Sequence, residues 1–139
     1  MASTAFGTFE APAGWQAVDL ISDLHLQAAE PGTFEAWRAH MQGTTADAVL
    51  LLGDVFEVWV GDDAVAQDPF LQTCAQVLRD ASRRMTVGFM HGNRDFLVGG
   101  AFLGSCGVQL LQDPTVLVWG TQRVVLSHGD ALCLGDEAY

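Results

Sequence analysis

The stretch Ala48-Val-Leu-Leu-Leu-Gly-Asp54 is an apolar run that stops abruptly at a glycine and a carboxylate. A continuous aliphatic run of this length predicts a strand that is buried on both faces, as in a covered parallel sheet. Three other apolar runs also end in polar residues, at Asp23-Leu-His25, at Gly92-Asn-Arg-Asp95 and at His128-Gly-Asp130. Because ligands bind beyond the carboxyl ends of strands in open α/β sheets, we expect these residues to meet there.

The polar residues at these strand ends are of the types that bind divalent metal ions. Carboxylate, amide and imidazole donors together suit Mn, Fe, Zn or Mg. An extended backbone through the first motif would direct Asp23 and His25 to one side while Leu24 turns away. Asp54 is the candidate bridging ligand of two cations, and Gly53 would let the backbone approach closely. Each motif alone also fits an ordinary turn; the ordered set predicts a two-metal phosphoesterase site.

The third and fourth motifs supply the remaining candidates. Asn93 offers a neutral amide oxygen to a second cation, and His128 offers an imidazole to the same cation. Arg94 carries a planar fork that matches phosphate oxygens, although a surface ion pair with Asp95 is the alternative. The candidate catalytic residues are therefore Asp54, Asn93 and His128, and the candidate metal ligands are Asp23, His25, Asp54, Asn93 and His128.

The chain is predicted to consist of strands that alternate with helices. The predicted elements are strand Trp15–Ser22, a helix from the turn at Pro31-Gly-Thr33 (Thr33 as N-cap) to about Gln42, strand Ala48–Leu52, a helix from Asp68-Pro69 to about Arg84, strand Met85–Met90, a short helix Phe96–Ser105, and a hairpin of Val116–Trp119 and Arg123–Ser127. This order predicts a mostly parallel sheet covered on both faces, with the hairpin beginning a second sheet. Residues 1–14 are predicted to form a loose arm, and residues 15–139 the domain.

Composition predicts a folded core and restricts the partners. Half of the residues (50%) are hydrophobic and 17% are charged, which is not the composition of a disordered chain. The net charge of −11, with six arginines and no lysine, leaves no basic patch for nucleic acid and disfavours docking on anionic lipid by charge. Bound cations can make the local charge positive, so the acidic chain can still bind a phosphate substrate.

Cysteine usage and the first residues predict a cytoplasmic location. Cys74, Cys106 and Cys133 are widely spaced and odd in number, which is typical of reduced thiols. The first fourteen residues carry no positive region followed by an apolar run, so no signal peptide is predicted.

The ordered motifs resemble the calcineurin-like metallophosphoesterases, whose pattern is D-x-H, G-D, G-N-H-(D/E), a late His and a final H-x-H. Arg94 stands where most of that family has His. The form His91-Gly-Asn-Arg-Asp-Phe96, together with Gly53–Asp63 and Ser127–Cys133, resembles one branch, the UDP-2,3-diacylglucosamine pyrophosphatases (hydrolases) of lipid A synthesis. The resemblance runs from about Val18 to Tyr139. It implies an α/β fold, a metallophosphoesterase-type β-sandwich flanked by helices.

The resemblance also implies an activity. The expected reaction is hydrolysis of UDP-2,3-diacylglucosamine at the α-phosphorus, giving UMP and 2,3-diacylglucosamine 1-phosphate, with two divalent metal ions, manganese in that branch. Asn93, Arg94 and Asp136 would then bind the substrate, with Asp136 at the sugar. A lipid substrate implies peripheral contact with the cytoplasmic face of the inner membrane. A phosphoesterase of another substrate and a catalytically inactive fragment are the alternatives.

The family's closing H-x-H has no counterpart here. The histidines are His25, His40, His91 and His128, and no two are separated by one residue. We therefore expect the N-terminal part of a larger enzyme, incomplete at the C-terminus and without the lid and the final strands. On this ligand count each cation lacks one histidine, so the 139-residue chain alone is expected to be nearly inactive. An uncovered apolar sheet face would favour self-association.

Overall fold

The computed structural model describes residues 6–129, which form two β-sheets packed face to face with helices against the larger one. The strands are β1 Gly7–Glu10, β2 Val18–Ile21, β3 Ala48–Leu52, β4 Thr86–Met90, β5 Gln109–Leu111, β6 Thr115–Trp119 and β7 Gln122–Leu126. The helices are α1 Pro31–Gly43, α2 Pro69–Ser82 and α3 Gly100–Ser105, and a 3-10 helix spans Asp62–Gln67.

The larger sheet is parallel throughout, in the order β2-β3-β4-β5. In the smaller sheet β1 pairs parallel with β6, and β6 and β7 form an antiparallel hairpin. The prediction of a parallel sheet with a hairpin in a second sheet is confirmed. Parallel pairing brings the carboxyl ends of β2, β3 and β4 to one edge, which is where the first three motifs begin.

Strand β3 divides the core because its side chains alternate between two apolar layers. Val49 and Leu51 face α1 and α2, where Trp37 and Met41 are among the residues that cover them. Ala48 and Leu50 face the smaller sheet and belong to a second cluster with Leu117 and Leu126. All of Ala48–Leu51 is completely buried. The uninterrupted apolar sequence of β3 is thus explained by burial on both faces.

The predicted helical faces are buried, and one predicted cap is wrong. Asp68 caps α2 by accepting hydrogen bonds from the backbone N–H groups of Phe70 and Leu71, as expected. The buried positions include Phe34, Trp37 and Met41 on α1 and Leu71, Cys74, Val77 and Leu78 on α2. Helix α1 begins at Pro31, so the predicted N-cap Thr33 lies inside its first turn. Proline suits the first helical position because its φ is preset and its missing N–H would have no partner.

The predicted loose arm over residues 1–14 is wrong for Gly7–Glu10, which forms β1 and pairs with Thr115–Val118. Local sequence could not reveal this pairing because the partner strand lies more than a hundred residues away. Strand β5 was not predicted either, and α3 begins at Gly100 instead of Phe96. Both differences concern short elements that are stabilised by pairing or packing rather than by their own periodicity.

Cys74 and Cys106 are buried and unpaired with each other. Burial, and secondly the negative charge of Asp68, raises the pKa of the Cys74 thiol to about 12. Burial also raises the pKa of Cys106. Both groups are therefore protonated near neutral pH, which suits core packing and not metal binding. Cys133 lies outside the described residues.

Within residues 6–129, none of the helices is long and apolar enough to cross a bilayer.

Asp62 stabilises α3 from a distant part of the chain. Its carboxylate accepts hydrogen bonds from the backbone N–H groups of Gly99 and Phe102, at 2.9 and 3.0 Å, and from Nε1 of Trp59 at 3.1 Å. We expect Asp62→Ala to lower the free energy of unfolding by about 2 kcal/mol, because two N–H groups at a helix start lose their acceptor. Urea denaturation measures this loss. The exposed neighbour Asp63, changed to Ala, is the matched control, and equal stability of the two variants would contradict the capping role.

Candidate metal centre

Three of the predicted ligands converge at the shared edge of the strands. Asp23 follows β2, Asp54 follows β3 and His128 follows β7, and one ligand atom from each lies within 4.8 Å of the others. Asp54 is buried and the His128 side chain is only 7% exposed, whereas that of Asp23 is 55% exposed. Two carboxylates and an imidazole at this separation form a donor set that fits a divalent cation.

The backbone is left-handed at three of the candidate ligands. The φ angles are 58° at Asp23, 49° at His25 and 51° at Asp54. Asp and His adopt this region more readily than most residues, yet it is uncommon outside glycine and concentrates at functional sites. The extended backbone expected through the first motif is therefore wrong, and two tight bends direct Asp23 and His25 instead.

Two glycines let the loops approach Asp54 and His128. A Cβ at Gly53 would lie 2.3 Å from Nδ1 of His128, and a Cβ at Gly92 would lie 2.4 Å from both the backbone nitrogen and Oδ1 of Asp54. These separations are far shorter than a van der Waals contact. The glycines of the G-D and G-N motifs are thus required by the close packing around the two candidate ligands.

His128, in the cluster, and His25, beside it, are both held through Nδ1. His128 donates from Nδ1 to the carbonyl of Leu52 at 3.0 Å, and its Nε2 lies 3.3 Å from Oδ2 of Asp54. His25 donates from Nδ1 to Oε1 of Glu57 at 3.0 Å, and its Nε2 lies 3.8 Å from Oδ1 of Asp23. The acceptors require a proton on Nδ1, so Nε2 carries the lone pair in each neutral ring. His25 lies at the margin of the cluster, outside the three residues that share the 4.8 Å limit.

The loops after β2 and β3 run side by side beyond the sheet. The backbone N–H of Asp23 donates to the carbonyl of Gly53, that of His25 to Asp54, and that of Leu26 to Val55, at 3.0, 2.9 and 2.8 Å. Because each bond joins one candidate-ligand loop to the next, Asp23, His25 and Asp54 are held at fixed separations. Such preorganisation lowers the cost of binding a cation.

Asp95 joins the loop after β4 to the loop after β3. Its side chain is completely buried and accepts hydrogen bonds from the backbone N–H groups of Val55, Phe56 and Gly92, at 2.8, 3.2 and 2.8 Å. The alternative of a surface ion pair between Arg94 and Asp95 is therefore wrong. This role was not predicted from the sequence, because an acidic residue beside an arginine indicates surface pairing.

Arg94 and Asn93 lie on the loop that wraps Asp54. The backbone N–H of Arg94 donates to Oδ1 of Asp54 at 2.8 Å, and its side chain is 55% exposed. Nη1 of Arg94 lies 3.6 Å from Oε2 of Glu57. Asn93 is exposed and lies between Gly92 and Arg94, both of which contact Asp54. Asp130 and Asp136 lie outside the described residues.

Glu57 is the second residue that the sequence analysis missed. It contacts His25 with one carboxylate oxygen and Arg94 with the other. The available signal was its place in the run Val55-Phe-Glu-Val-Trp59, where a single carboxylate interrupts apolar residues.

Two sheets packed face to face, with acid and imidazole side chains at the strand ends, define a metallophosphoesterase-like fold. The solved structure of nuclease MPE from Pseudomonas putida has this fold in common with the chain, with a TM-score of 0.50 and 24% identity. The alignment covers 68% of this chain and 47% of that one. The predicted α/β β-sandwich is thus confirmed. No family model matches the chain.

The chain is also similar in sequence to curated proteins of the branch that its motifs resemble. The chain is 46% identical, over 123 residues, to the UDP-2,3-diacylglucosamine hydrolase of Pseudomonas syringae pv. tomato, covering 86% of this chain and 49% of the relative. The hydrolase of the same name from Pseudomonas putida matches at 46% identity and that from Stutzerimonas stutzeri at 44%. The chain is therefore a homologue of the UDP-2,3-diacylglucosamine hydrolases, as its motifs predict, and spans about half the length of these curated relatives.

Proposed function

We propose that this chain forms the metal-binding part of a hydrolase that cleaves the diphosphate of UDP-2,3-diacylglucosamine to UMP and 2,3-diacylglucosamine 1-phosphate. The observation that carries the proposal is the convergence of Asp23, Asp54 and His128 at one sheet edge, with Arg94 on the adjoining loop. Relatives named for this activity are 46% identical to the chain over 123 residues. The rest of their length is proposed to contribute the lid and the remaining histidine ligands.

Asp23, His25, Asp54, Asn93 and His128 would hold two divalent cations, for which we propose Mn²⁺. Such a pair supplies a water of lowered pKa and neutralises charge on the phosphate. Asp54 is proposed as the shared ligand, since its two oxygens face different neighbours, Arg94 N–H and His128. The exposed Arg94 guanidinium would bind and orient the substrate phosphate, and Asn93 beside it would contact the same group. Asp136 is proposed at the sugar.

A diacylated substrate would reach the site from a membrane surface. Phe96 and Leu97, two and three residues after Arg94, are 63% and 50% exposed. Exposed apolar side chains beside the phosphate-binding arginine support peripheral contact with the cytoplasmic face of the inner membrane.

Val124 and Val125 of β7 are also exposed, at 41% and 51%, and support self-association of the isolated chain.

The identity of the substrate is tested with a chimera in which this chain replaces the equivalent half of the Pseudomonas putida hydrolase. Manganese content and circular dichroism first establish that the chimera is folded and metal-loaded. We expect release of UMP from UDP-2,3-diacylglucosamine, followed by phosphorus NMR. A folded, metal-loaded chimera that hydrolyses bis(p-nitrophenyl) phosphate and releases no UMP would favour the alternative of a phosphoesterase with another substrate.

Arg94→Ala in that chimera separates phosphate binding from metal binding. We expect unchanged manganese affinity and a loss of about 10- to 100-fold in kcat/KM, because a charge-assisted, fork-shaped contact is worth about 1.5–3 kcal/mol. Arg38→Ala, on the exposed face of α1 where Arg38 pairs with Glu35, is the matched control. Unchanged kinetics of Arg94→Ala would remove this residue from the site.

A further inference from the structure

The side chain of Glu57 lies where three loops of the candidate centre meet. Oε1 accepts a hydrogen bond from Nδ1 of His25, on the loop after β2, at 3.0 Å. Oε2 lies 3.6 Å from Nη1 of Arg94, on the loop after β4. Glu57 itself is on the loop after β3. One carboxylate thus contacts a candidate metal ligand and the candidate phosphate-binding residue through separate oxygens.

The backbone fixes where this carboxylate can lie. The N–H of Glu57 donates to the carbonyl of Leu26 at 3.1 Å, and Leu26 and Phe56 form an isolated parallel bridge. The adjacent side chains of Phe56 and Trp59 are buried, with ring centroids 4.8 Å apart. The backbone of Glu57 is therefore fixed by its bond to Leu26 and by buried aromatic residues on both sides in the sequence, and its side chain is only 29% exposed.

We propose that Glu57 is a positioning residue that couples the metal centre to the phosphate-binding arginine. Its Oε1 keeps the proton of His25 on Nδ1 and directs Nε2 toward Asp23. Its Oε2 holds the guanidinium of Arg94 beside the site before a phosphate arrives. The arginine part rests on the proposed function; the histidine part does not, because it concerns metal binding alone.

Two substitutions of Glu57 distinguish its contact with His25 from its contact with Arg94. Glu57→Gln keeps an amide oxygen that can accept from His25 Nδ1, but its neutral amide no longer pairs with Arg94. Glu57→Ala removes both contacts. We expect Glu57→Ala to weaken Mn²⁺ binding by about 10- to 100-fold in calorimetry, the range typical for a lost partner of a metal-bound histidine, and Glu57→Gln to stay within about threefold of the parent.

The tautomer of His25 gives a readout that needs neither metal nor substrate. In the metal-free parent and in Glu57→Gln, nitrogen-15 NMR of the neutral ring should show the proton on Nδ1. In Glu57→Ala the signal should move toward a mixture of tautomers. Glu35, an exposed glutamate on α1 that pairs with Arg38, provides the control variant Glu35→Ala, which should match the parent throughout.

The arginine contact is tested by KM for UDP-2,3-diacylglucosamine in the chimera described above. Glu57→Gln should raise KM several-fold in the parent background and have no further effect once Arg94 is Ala. The proposal is overturned if Glu57→Ala binds Mn²⁺ as the parent does with an unchanged His25 tautomer, or if Glu57→Gln weakens Mn²⁺ binding as much as Glu57→Ala. Failure of the proposed substrate would instead appear as absence of UMP release in every variant, the parent included.

Discussion

Asp54→Ala is expected to weaken the binding of divalent cations more than any other single substitution in the chain. Asp54 is the buried member of the three-residue cluster, and its two oxygens face His128 Nε2 and Arg94 N–H, at 3.3 and 2.8 Å. Without it, Asp23 and His128 are the residues of the cluster that can still bind. Loss of an outer-shell partner alone commonly costs 10- to 100-fold, so we expect Mn²⁺ affinity to fall by at least about 100-fold.

Asp54→Asn removes the negative charge of the side chain and keeps the local backbone geometry. Asn tolerates the left-handed conformation at this position, where φ is 51°, and its amide oxygen can still accept from the N–H of Arg94. We expect it to fold as the parent does and to bind Mn²⁺ weakly, because the charged bridging oxygen is lost. Asp80→Ala, on the exposed face of α2, is the control. Two cation sites of parental affinity in Asp54→Ala, measured by calorimetry, would show that Asp54 is not the shared ligand.

Asp95→Ala is expected to lower the free energy of unfolding by about 4 kcal/mol. The three backbone N–H groups that Asp95 accepts from, those of Val55, Phe56 and Gly92, would lose their acceptor. Each unsatisfied buried donor costs about 1–3 kcal/mol, and the effects are not fully additive. This is a large share of the 5–15 kcal/mol that typically stabilises a domain.

The same substitution should weaken metal binding, because Asp95 fixes the loop of Asn93 and Arg94 against the loop of Asp54. Urea denaturation measures the first effect and Mn²⁺ calorimetry the second, with Asp80→Ala as the exposed control. Asp95→Asn should be intermediate, since one amide oxygen still accepts while its NH₂ group faces a backbone donor. A variant Asp95→Ala as stable as the parent would show that the three hydrogen bonds contribute nothing net to folding.

The elements that sequence reasoning predicted are those with a strong local signal. Strand β3 is an unbroken aliphatic run, and α2 starts at an Asp-Pro pair and keeps an apolar face. Strand β1 has neither feature, because Gly7–Glu10 becomes a strand only through its pairing with β6. The start of α1 was misplaced because Thr33 is a better cap by residue type than Glu30, while Pro31 decides the actual start.

The candidate site was predictable as a set of residue types and not as a geometry. The motifs indicated Asp23, Asp54 and His128, which the structure brings together. The left-handed backbone at Asp23 and His25 could not be inferred, because it depends on hydrogen bonds to the loop after β3. The roles of Glu57 and Asp95 depend on which distant N–H groups face them, and this information exists only in the folded chain.

We propose that the strand ends form a divalent-metal centre around Asp54. Anomalous diffraction from crystals of the chain grown with Mn²⁺ would locate the bound ion. We predict an anomalous peak about 2 Å from the Asp54 carboxylate and from Nε2 of His128, the distance typical of first-row metals to oxygen and nitrogen. Crystals of the folded chain that show no anomalous peak at this position, or peaks only elsewhere, would show that Asp54 and His128 do not bind the metal.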